Sequence, residues 1–273
     1  MQKVSVIIPT MKGREEMLKK LISTIPDDCE KIVVDDDDLL LAAKRNKGAK
    51  LATGKYLLFI DDDNYLEDGA IHWMVERFTS SVGVMGMVAC YHDKKKRVAD
   101  GGSMRNYLTG FTEGKFTNER VFDLLPWCYP VDEVANAFMI QREVFYDLGC
   151  FDEINFPIDL DEADFCKRAK DAGYQIVMNP KAICYHKSQT YSHIPDFRRP
   201  MNAYFMGRNR ILYQRKHNHA LHYACYVVLF MPVFVCFYLV SLLYRKKPSM
   251  IVHFIKGVFD GLQGRLENKY QKR

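Results

Sequence analysis

The chain has 273 residues, 48% of them hydrophobic and 13% aromatic, enough to bury a full core for one sizeable domain plus an appendage. Its formal charge of +5 is mild and gathers after residue 205, which excludes a nucleic-acid-binding protein and directs the basic excess toward a membrane surface. The eight cysteines are scattered with no Cys-x-x-Cys pair, the pattern of reduced thiols in a cytosolic domain rather than of disulfides or a zinc site.

The amino terminus carries no secretory signal, because the apolar run Val4–Ile8 is short, stops at Pro9 and leads into charged residues. The catalytic part is therefore expected in the cytoplasm. Val4–Ile8 reads as a first strand broken by Pro9-Thr10, and Met17, Leu18, Leu21 and Ile22 have the spacing of a helix that Pro26 ends. Lys31–Val34 is a second strand, running into Asp35–Asp38. A helix rich in Ala and Lys, Leu39–Ala52, leads through Thr53-Gly54 to a third strand, Tyr56–Ile60. That apolar run is too short for a helix and suits a strand buried on both faces. It empties directly into Asp61-Asp62-Asp63.

Side chains alternate along a strand, so Asp61 and Asp63 are expected on one side at its carboxyl end, where open α/β sheets bind ligands. Neighbouring carboxylates repel unless a cation lies between them, and a divalent ion shared with a substrate phosphate answers that need. Solvation of a turn, or capping of the next helix, is the plainer alternative. An EF-hand starting at Asp61 is excluded by Tyr65 and Leu66 at the positions that need an oxygen ligand and a glycine. A P-loop is excluded because Gly48 and Gly54 are one residue too far apart and Tyr56 stands where Ser or Thr must hold the metal.

The series Val-Ser-Val-Ile-Ile-Pro-Thr, Ile-Val-Val-Asp, Ala-Lys-Arg-Asn-Lys-Gly-Ala and Leu-Phe-Ile-Asp-Asp-Asp-Asn resembles the family 2 glycosyltransferases, rhamnosyltransferase-like members among them. The resemblance implies an α/β GT-A fold: a mostly parallel central sheet flanked by helices. It implies that Pro9, Thr10 and Asp35 cradle the base and ribose of a nucleoside diphosphate sugar. Arg45, Asn46 and Gly48 would lie beside the nucleotide, and Asp61 and Asp63 would engage the diphosphate and its Mg²⁺ or Mn²⁺. Gly48 and Asn46 equally suit local backbone geometry.

Further along, Ile71–Phe78 reads as a helix and Val82–Tyr91 as a strand. From His92 to Pro126 the pattern loosens, with Lys94–Arg97 fitting a solvated hairpin tip and the glycine-spaced runs after it a flap over the donor. Val131–Ile140, the helix Arg142–Leu148 and Gly149-Cys-Phe-Asp-Glu153 match the family's sugar-pocket region. The second acidic group, Asp159-Leu-Asp-Glu-Ala-Asp164, opens a helix that Gly173 ends, and acids at a helix amino end are favoured by its free N–H groups and dipole. By resemblance the second acid of this motif is the general base of an inverting transfer. It falls on Glu162, where the family usually has Asp, and Asp161 is the alternative. Tyr174–Met178 and Ala182–Tyr185 read as strands around an Asn179-Pro180 turn. They bring His186 to the sheet edge as a third candidate metal ligand or as a structural side chain.

Leu221–Tyr244 is the most hydrophobic stretch, long enough to span a ~30 Å hydrocarbon core, with tyrosines near its ends. Basic residues flank both sides and Pro232 sits midway, so a kinked single span and a re-entrant hairpin both fit. Ile251, Phe254, Ile255, Val258, Phe259 and Leu262 share one helical face suited to a membrane surface. The expected organisation is a catalytic domain over 1–215 and a membrane-associated segment over 216–273, held at the cytoplasmic face of a membrane. The expected partners are a nucleoside diphosphate sugar and a glycan or lipid-linked acceptor. No Gln-x-x-Arg-Trp motif occurs, which argues against a processive polymer synthase. A non-catalytic scaffold on a degenerate transferase fold, or a sugar nucleotidyltransferase, are the competing readings.

Overall fold

A computed structural model describes residues 4–92, 96–121, 126–186 and 199–265. The first half alternates strand and helix: β1 (Val4–Pro9), α1 (Glu15–Ile22), β2 (Glu30–Val34), α2 (Leu41–Leu51), β3 (Tyr56–Ile60), β4 (Asn64–Leu66), α3 (Ala70–Arg77) and β5 (Val82–Tyr91). Short strands follow, β6 (Val98–Asp100), β7 (Ser103–Arg105), β8 (Thr112–Gly114) and β9 (Tyr129–Pro130). Then come β10 (Ala137–Gln141), α4 (Arg142–Asp147), α5 (Asp161–Asp171) and β11 (Gln175–His186). The carboxyl-terminal part is helical: α6 (Pro200–His217), α7 (Ala220–Cys225), a π-helical turn at Tyr226–Phe230, α8 (Met231–Tyr244) and α9 (Ser249–Gln263).

The central sheet runs β2-β1-β3-β10-β5-β11-β4. It is mixed: β1 pairs in parallel with β2 and β3, and β11 with β5, while β10 lies antiparallel between β3 and β5. The expected break at Asn179-Pro180 is a bulge inside one continuous strand, β11, whose register against β5 jumps between Asn179 and Ile183. Proline lacks an N–H, so it is tolerated where the ladder is already interrupted.

All five residues of β3 are buried, and their side chains divide by parity. Leu57 and Phe59 join the core covered by α2, α4 and α5, where Ala42, Ala49, Phe145 and Phe165 pack. Tyr56, Leu58 and Ile60 join the opposite core with Leu21 of α1 and Ile71 and Met74 of α3. The alternation persists past the strand end: Asp61 turns toward α2, and Asp62 turns toward the start of α1.

Gly48 packs α2 against the sheet, since a Cβ there would come within 2.4 Å of the Ile7 side chain. A tighter seam joins α6 and α9, because a Cβ on Gly257 would stand 2.1 Å from the Tyr204 carbonyl oxygen and one on Gly207 would stand 2.4 Å from that of Phe254. Gly261, one turn beyond Gly257, extends the seam to Arg208. Small residues spaced by four let two helix backbones meet.

Residues Ala220–Tyr244 form one helix of 25 residues with a mean hydropathy of 2.4, long and apolar enough to cross a membrane. It is a helix with a π-helical turn ahead of Pro232, not a hairpin folded back within the segment. One stripe, Tyr226, Phe234, Tyr238 and Leu242, packs on α6 and α9, while Leu221, Val228, Val233, Val240 and Leu243 are exposed. All eight cysteines are free thiols. Part of the Lys94–Arg97 run and the end of the basic tail lie outside the described residues.

Candidate active site

The site gathers around Arg45, a helix residue that is 0% exposed. Its guanidinium donates to Asp61 at 2.9 Å and to Asp161 at 2.6 Å, and lies 2.6 Å from a Glu162 carboxylate oxygen. The fork geometry of Arg suits this, since several N–H groups diverge from one delocalised charge. The three acids come from the end of β3 and the start of α5, so only the folded sheet brings them to one cation.

Three carboxylates and one guanidinium leave an excess of negative charge, which drives the pKa values of the neighbouring acids apart. Burial, then the neighbouring Glu162 charge, hold Asp161 well above the usual carboxylate range, against the pull of Arg45. Burial also works against the Glu162 carboxylate, but Arg45 and hydrogen bonds from Asp161 and the backbone outweigh it and keep Glu162 below its ordinary range. Asp161 is 0% exposed and Glu162 16%. The lower-pKa acid is thus also the reachable one. Just before them, Asp159 and Leu160 both take left-handed backbone, with φ of 65° and 66°. Two consecutive non-glycine residues there are strained, and such strain persists where surrounding structure fixes it. Here Asn209 donates to the carbonyls of both Ile158 and Asp159.

At the other end of the cluster the acids of β3 part company. The strand stops at Ile60, and a turn closed by Asn64 N–H donating to the Asp61 carbonyl (3.1 Å) separates Asp61 from Asp63. Burial raises Asp61 to about 6, Arg45 opposing and Glu162 and Asp63 adding to it. Asp63 instead meets His186, 3.4 Å away, because antiparallel pairing of β4 with β11 sets His186 opposite Asn64. Burial opposes both charges, yet their mutual attraction prevails: His186 is raised and Asp63 lowered. Asp62, buried, accepts from Thr10 at 2.6 Å and from Arg14, and ties the turn to β1.

A cavity of about 400 Å³ opens beside this edge, lined by Pro9, Thr10, Arg14, Lys44, Asp61 and Asp63 among others. Arg199 and Asn202 at the start of α6 line it as well. Asp35 follows β2 on the exposed surface, outside the lining. Asn46 sits one residue from Arg45 but faces the Gly149–Glu153 turn, donating to the Phe151 carbonyl (2.9 Å) and Glu153 (2.7 Å) and accepting from Phe151 N–H. Asp164 bonds Arg168, Lys216 and His217, joining α5 to α6.

Sequence reading named Asn136 only at the centre of the Val131–Ile140 stretch and gave no site role to Asp62, Arg14 or Asp100. Asn136 has left-handed φ (62°); its carbonyl accepts from Asp61 N–H at 3.0 Å while its amide donates to Asp100 at 2.9 Å. An Asn flanked by small residues between two apolar runs was the available signal. Among the described residues no three His, Cys, Asp or Glu side chains are arranged to hold a metal ion by themselves. Asp63 and His186 do supply two adjacent donors at the cavity edge, a set that fits an ion completed by oxygens of a substrate diphosphate.

Sheet order, the crossing of the acidic turn at its carboxyl edge, and a polar cavity beside it define a glycosyltransferase of the GT-A fold. The pattern described as Glycosyltransferase like family 2 matches residues 2–210, and the chain belongs to that family. No curated protein matches in sequence. Among solved structures, the chain is similar to Staphylococcus aureus TarS 1-349 in complex with UDP-GlcNAc. The identity is 17%, coverage is 97% of this chain and 82% of that one, and the TM-score is 0.55. It is similar also to the mannosyltransferase PcManGT of Pyrobaculum calidifontis in complex with GDP-Man and Mn²⁺, at 14% identity, 96% and 88% coverage and a TM-score of 0.54. GalNAc-T7 with UDP, GalNAc and Mn²⁺ shares 12% identity over 74% of this chain with a TM-score of 0.52, and the chain spans about half of that protein, 47%.

Proposed function

We propose that the protein transfers a sugar, with inversion, from a nucleoside diphosphate sugar to a hydroxyl of a lipid-linked or cell-surface glycan. Residues 1–215 would carry the chemistry and 216–273 the membrane contact. The observation that carries the reading is the Arg45 cluster, which holds the partly exposed Glu162 below its ordinary carboxylate range and whose Asp61 lines the polar cavity at the sheet edge. Glu162 then accepts the proton of the acceptor hydroxyl as its oxygen attacks the anomeric carbon and the diphosphate departs from the opposite face. Asp161, fully buried and with its pKa raised by that burial, would orient Glu162 rather than act as the base.

Pro9, Thr10 and Asp35 would contact the nucleoside, and Arg45 and Asn46 would shape the floor beneath it. Lys44, Arg14 and Arg199, cations in or beside the cavity wall, would offset phosphate charge. Asp63 and His186, with Asp61 behind them, would hold Mg²⁺ or Mn²⁺, the imidazole favouring Mn²⁺. When bound, the ion neutralises charge growing on the leaving diphosphate. The rhamnosyltransferase-like kinship rests on the motif series alone.

The apolar helix supports a place at the cytoplasmic face of a membrane. Because one stripe of it, from Tyr226 to Leu242, packs on α6 and α9, we infer that it lies along the membrane surface, its exposed face inward to lipid. The test is nucleoside diphosphate release by the full chain from UDP-, GDP- and dTDP-sugars with Mn²⁺ or Mg²⁺. Release from one donor, lost in Asp63→Ala, is expected. Failure of every donor to bind would leave the scaffold reading.

A further inference from the structure

A second cavity, of about 580 Å³, shares no lining residue with the first. At one end stands Asp100, bonded to Asn136, whose carbonyl in turn accepts from Asp61 N–H. The charges of His186 and Glu162 both reach Asp100. One wall therefore lies two hydrogen bonds from the acidic turn of β3. At the other end stand Arg210 of α6 and Phe237 and Tyr238 of the apolar helix α8. The Arg210 guanidinium lies 4.8 Å from the ring centre of Phe234 and 6.0 Å from that of Tyr238, which fixes α8 against this wall. Phe237 is 53% exposed and lines the cavity beside Tyr238.

The lining has the chemistry of a sugar site. Asp100 and Glu113 offer carboxylates, Ser103 and Thr117 hydroxyls, and Phe111 and Phe237 aromatic surface. Carboxylates accept hydrogen bonds from sugar hydroxyls, and rings cover apolar C–H faces. One arginine against two acids leaves nothing to draw in a polyphosphate. The cavity thus lies between Asp100, which is joined through Asn136 to Asp61, and the aromatic side chains of α8.

We propose that this cavity is the acceptor site, that it takes the neutral terminal sugar of a glycan borne on a lipid, and that Phe237 and Tyr238 form its membrane-side wall. The proposal rests on the transferase reading and adds that the apolar helix selects the acceptor as well as anchoring the protein. Its position also accounts for an aromatic pair at the point where the helix passes Arg210.

The test uses the full chain in phosphatidylcholine nanodiscs with methyl and decyl β-glycosides of glucose, galactose and N-acetylglucosamine as probes, binding being read by saturation-transfer NMR. Binding of nucleoside diphosphate with Mn²⁺ is measured on the same samples. One sugar is expected to bind, its decyl form about tenfold more tightly than its methyl form. Phe237→Ser, at a half-exposed position that does not threaten folding, removes that preference. Thr117→Trp fills the cavity and abolishes glycoside binding, and both variants retain nucleotide binding. Equal binding of methyl and decyl forms, unchanged binding in both variants, or no glycoside bound by a protein that still binds nucleotide would overturn the proposal. Loss of nucleotide binding in the wild type would instead remove the transferase reading, and this proposal with it.

Discussion

Replacing Arg45 by Met isolates the electrostatic logic of the site. The guanidinium is 0% exposed and contacts Asp61, Asp161 and Glu162, of which Asp161 is also 0% exposed. Met fills a similar volume but leaves three acids with no counter-charge in a desolvated place. Removing one partner of a buried ion pair costs about 3–5 kcal/mol, because the remaining charge is stranded. For a protein of this size that lowers the melting temperature on the order of 10 °C at pH 7.5. The loss has a signature. Without Arg45 the largest pull against the burial of Glu162 is gone, its pKa rises, and the acids relieve their repulsion by taking up protons. The gap between variant and wild type should therefore narrow as pH falls from 7.5 to 5, which differential scanning at several pH values reads directly. A variant equally destabilised at both pH values would mean that Arg45 matters through packing alone, and one that melts with the wild type would refute the ion cluster.

The base assignment predicts unequal effects of two isosteric changes: Glu162→Gln should lower turnover by roughly 10²–10⁴-fold with little change in donor affinity. Asp161→Asn, replacing the acid that is fully buried and has its pKa raised, should lower it far less, and equal losses in steady-state assays would contradict the division of roles. Asp159 is raised to about 6 by burial, with Arg210 opposing and Glu162 adding to it. An acid with a raised folded pKa binds its proton more tightly when folded, so its stabilising contribution is present below the unfolded value near 3.8 and is lost as pH climbs through about 6. Asp159→Asn should flatten the stability profile between pH 4 and 6 in urea titrations, and an unaltered slope would count against it. Gly257→Ala should destabilise by about 1–3 kcal/mol, because the new Cβ meets backbone of α6 that cannot rotate away, and an unchanged denaturation midpoint would deny the seam.

How much of this was legible in the sequence depended on the range of the interaction. β3 could be read from five apolar residues, since burial on both faces leaves a continuous run, and the acids at its end could be read as a site because nothing local required three of them. The alternation rule put Asp61 and Asp63 together, but the strand ends at Ile60 and the turn hands Asp63 to His186. The role of Arg45 was hidden for a different reason. The resemblance put Arg45 beside the nucleotide, whereas its side chain is buried among acids, and the partner Asp161 is 116 residues away. No local period encodes such a meeting. Likewise β11 read as two strands around a proline turn, because a bulge and a turn share the same residues until the neighbouring strand is known.

The glycine seam between α6 and α9 has one more consequence. Gly207, Gly257 and Gly261 bring two backbones into contact, and α6 also carries the Arg208 and Asn209 bonds that steady the Asn155–Asp159 loop before Glu162. α9 and the loop that precedes Glu162 are thus fastened to one another through α6, so that whatever α9 rests on also sets the position of that loop.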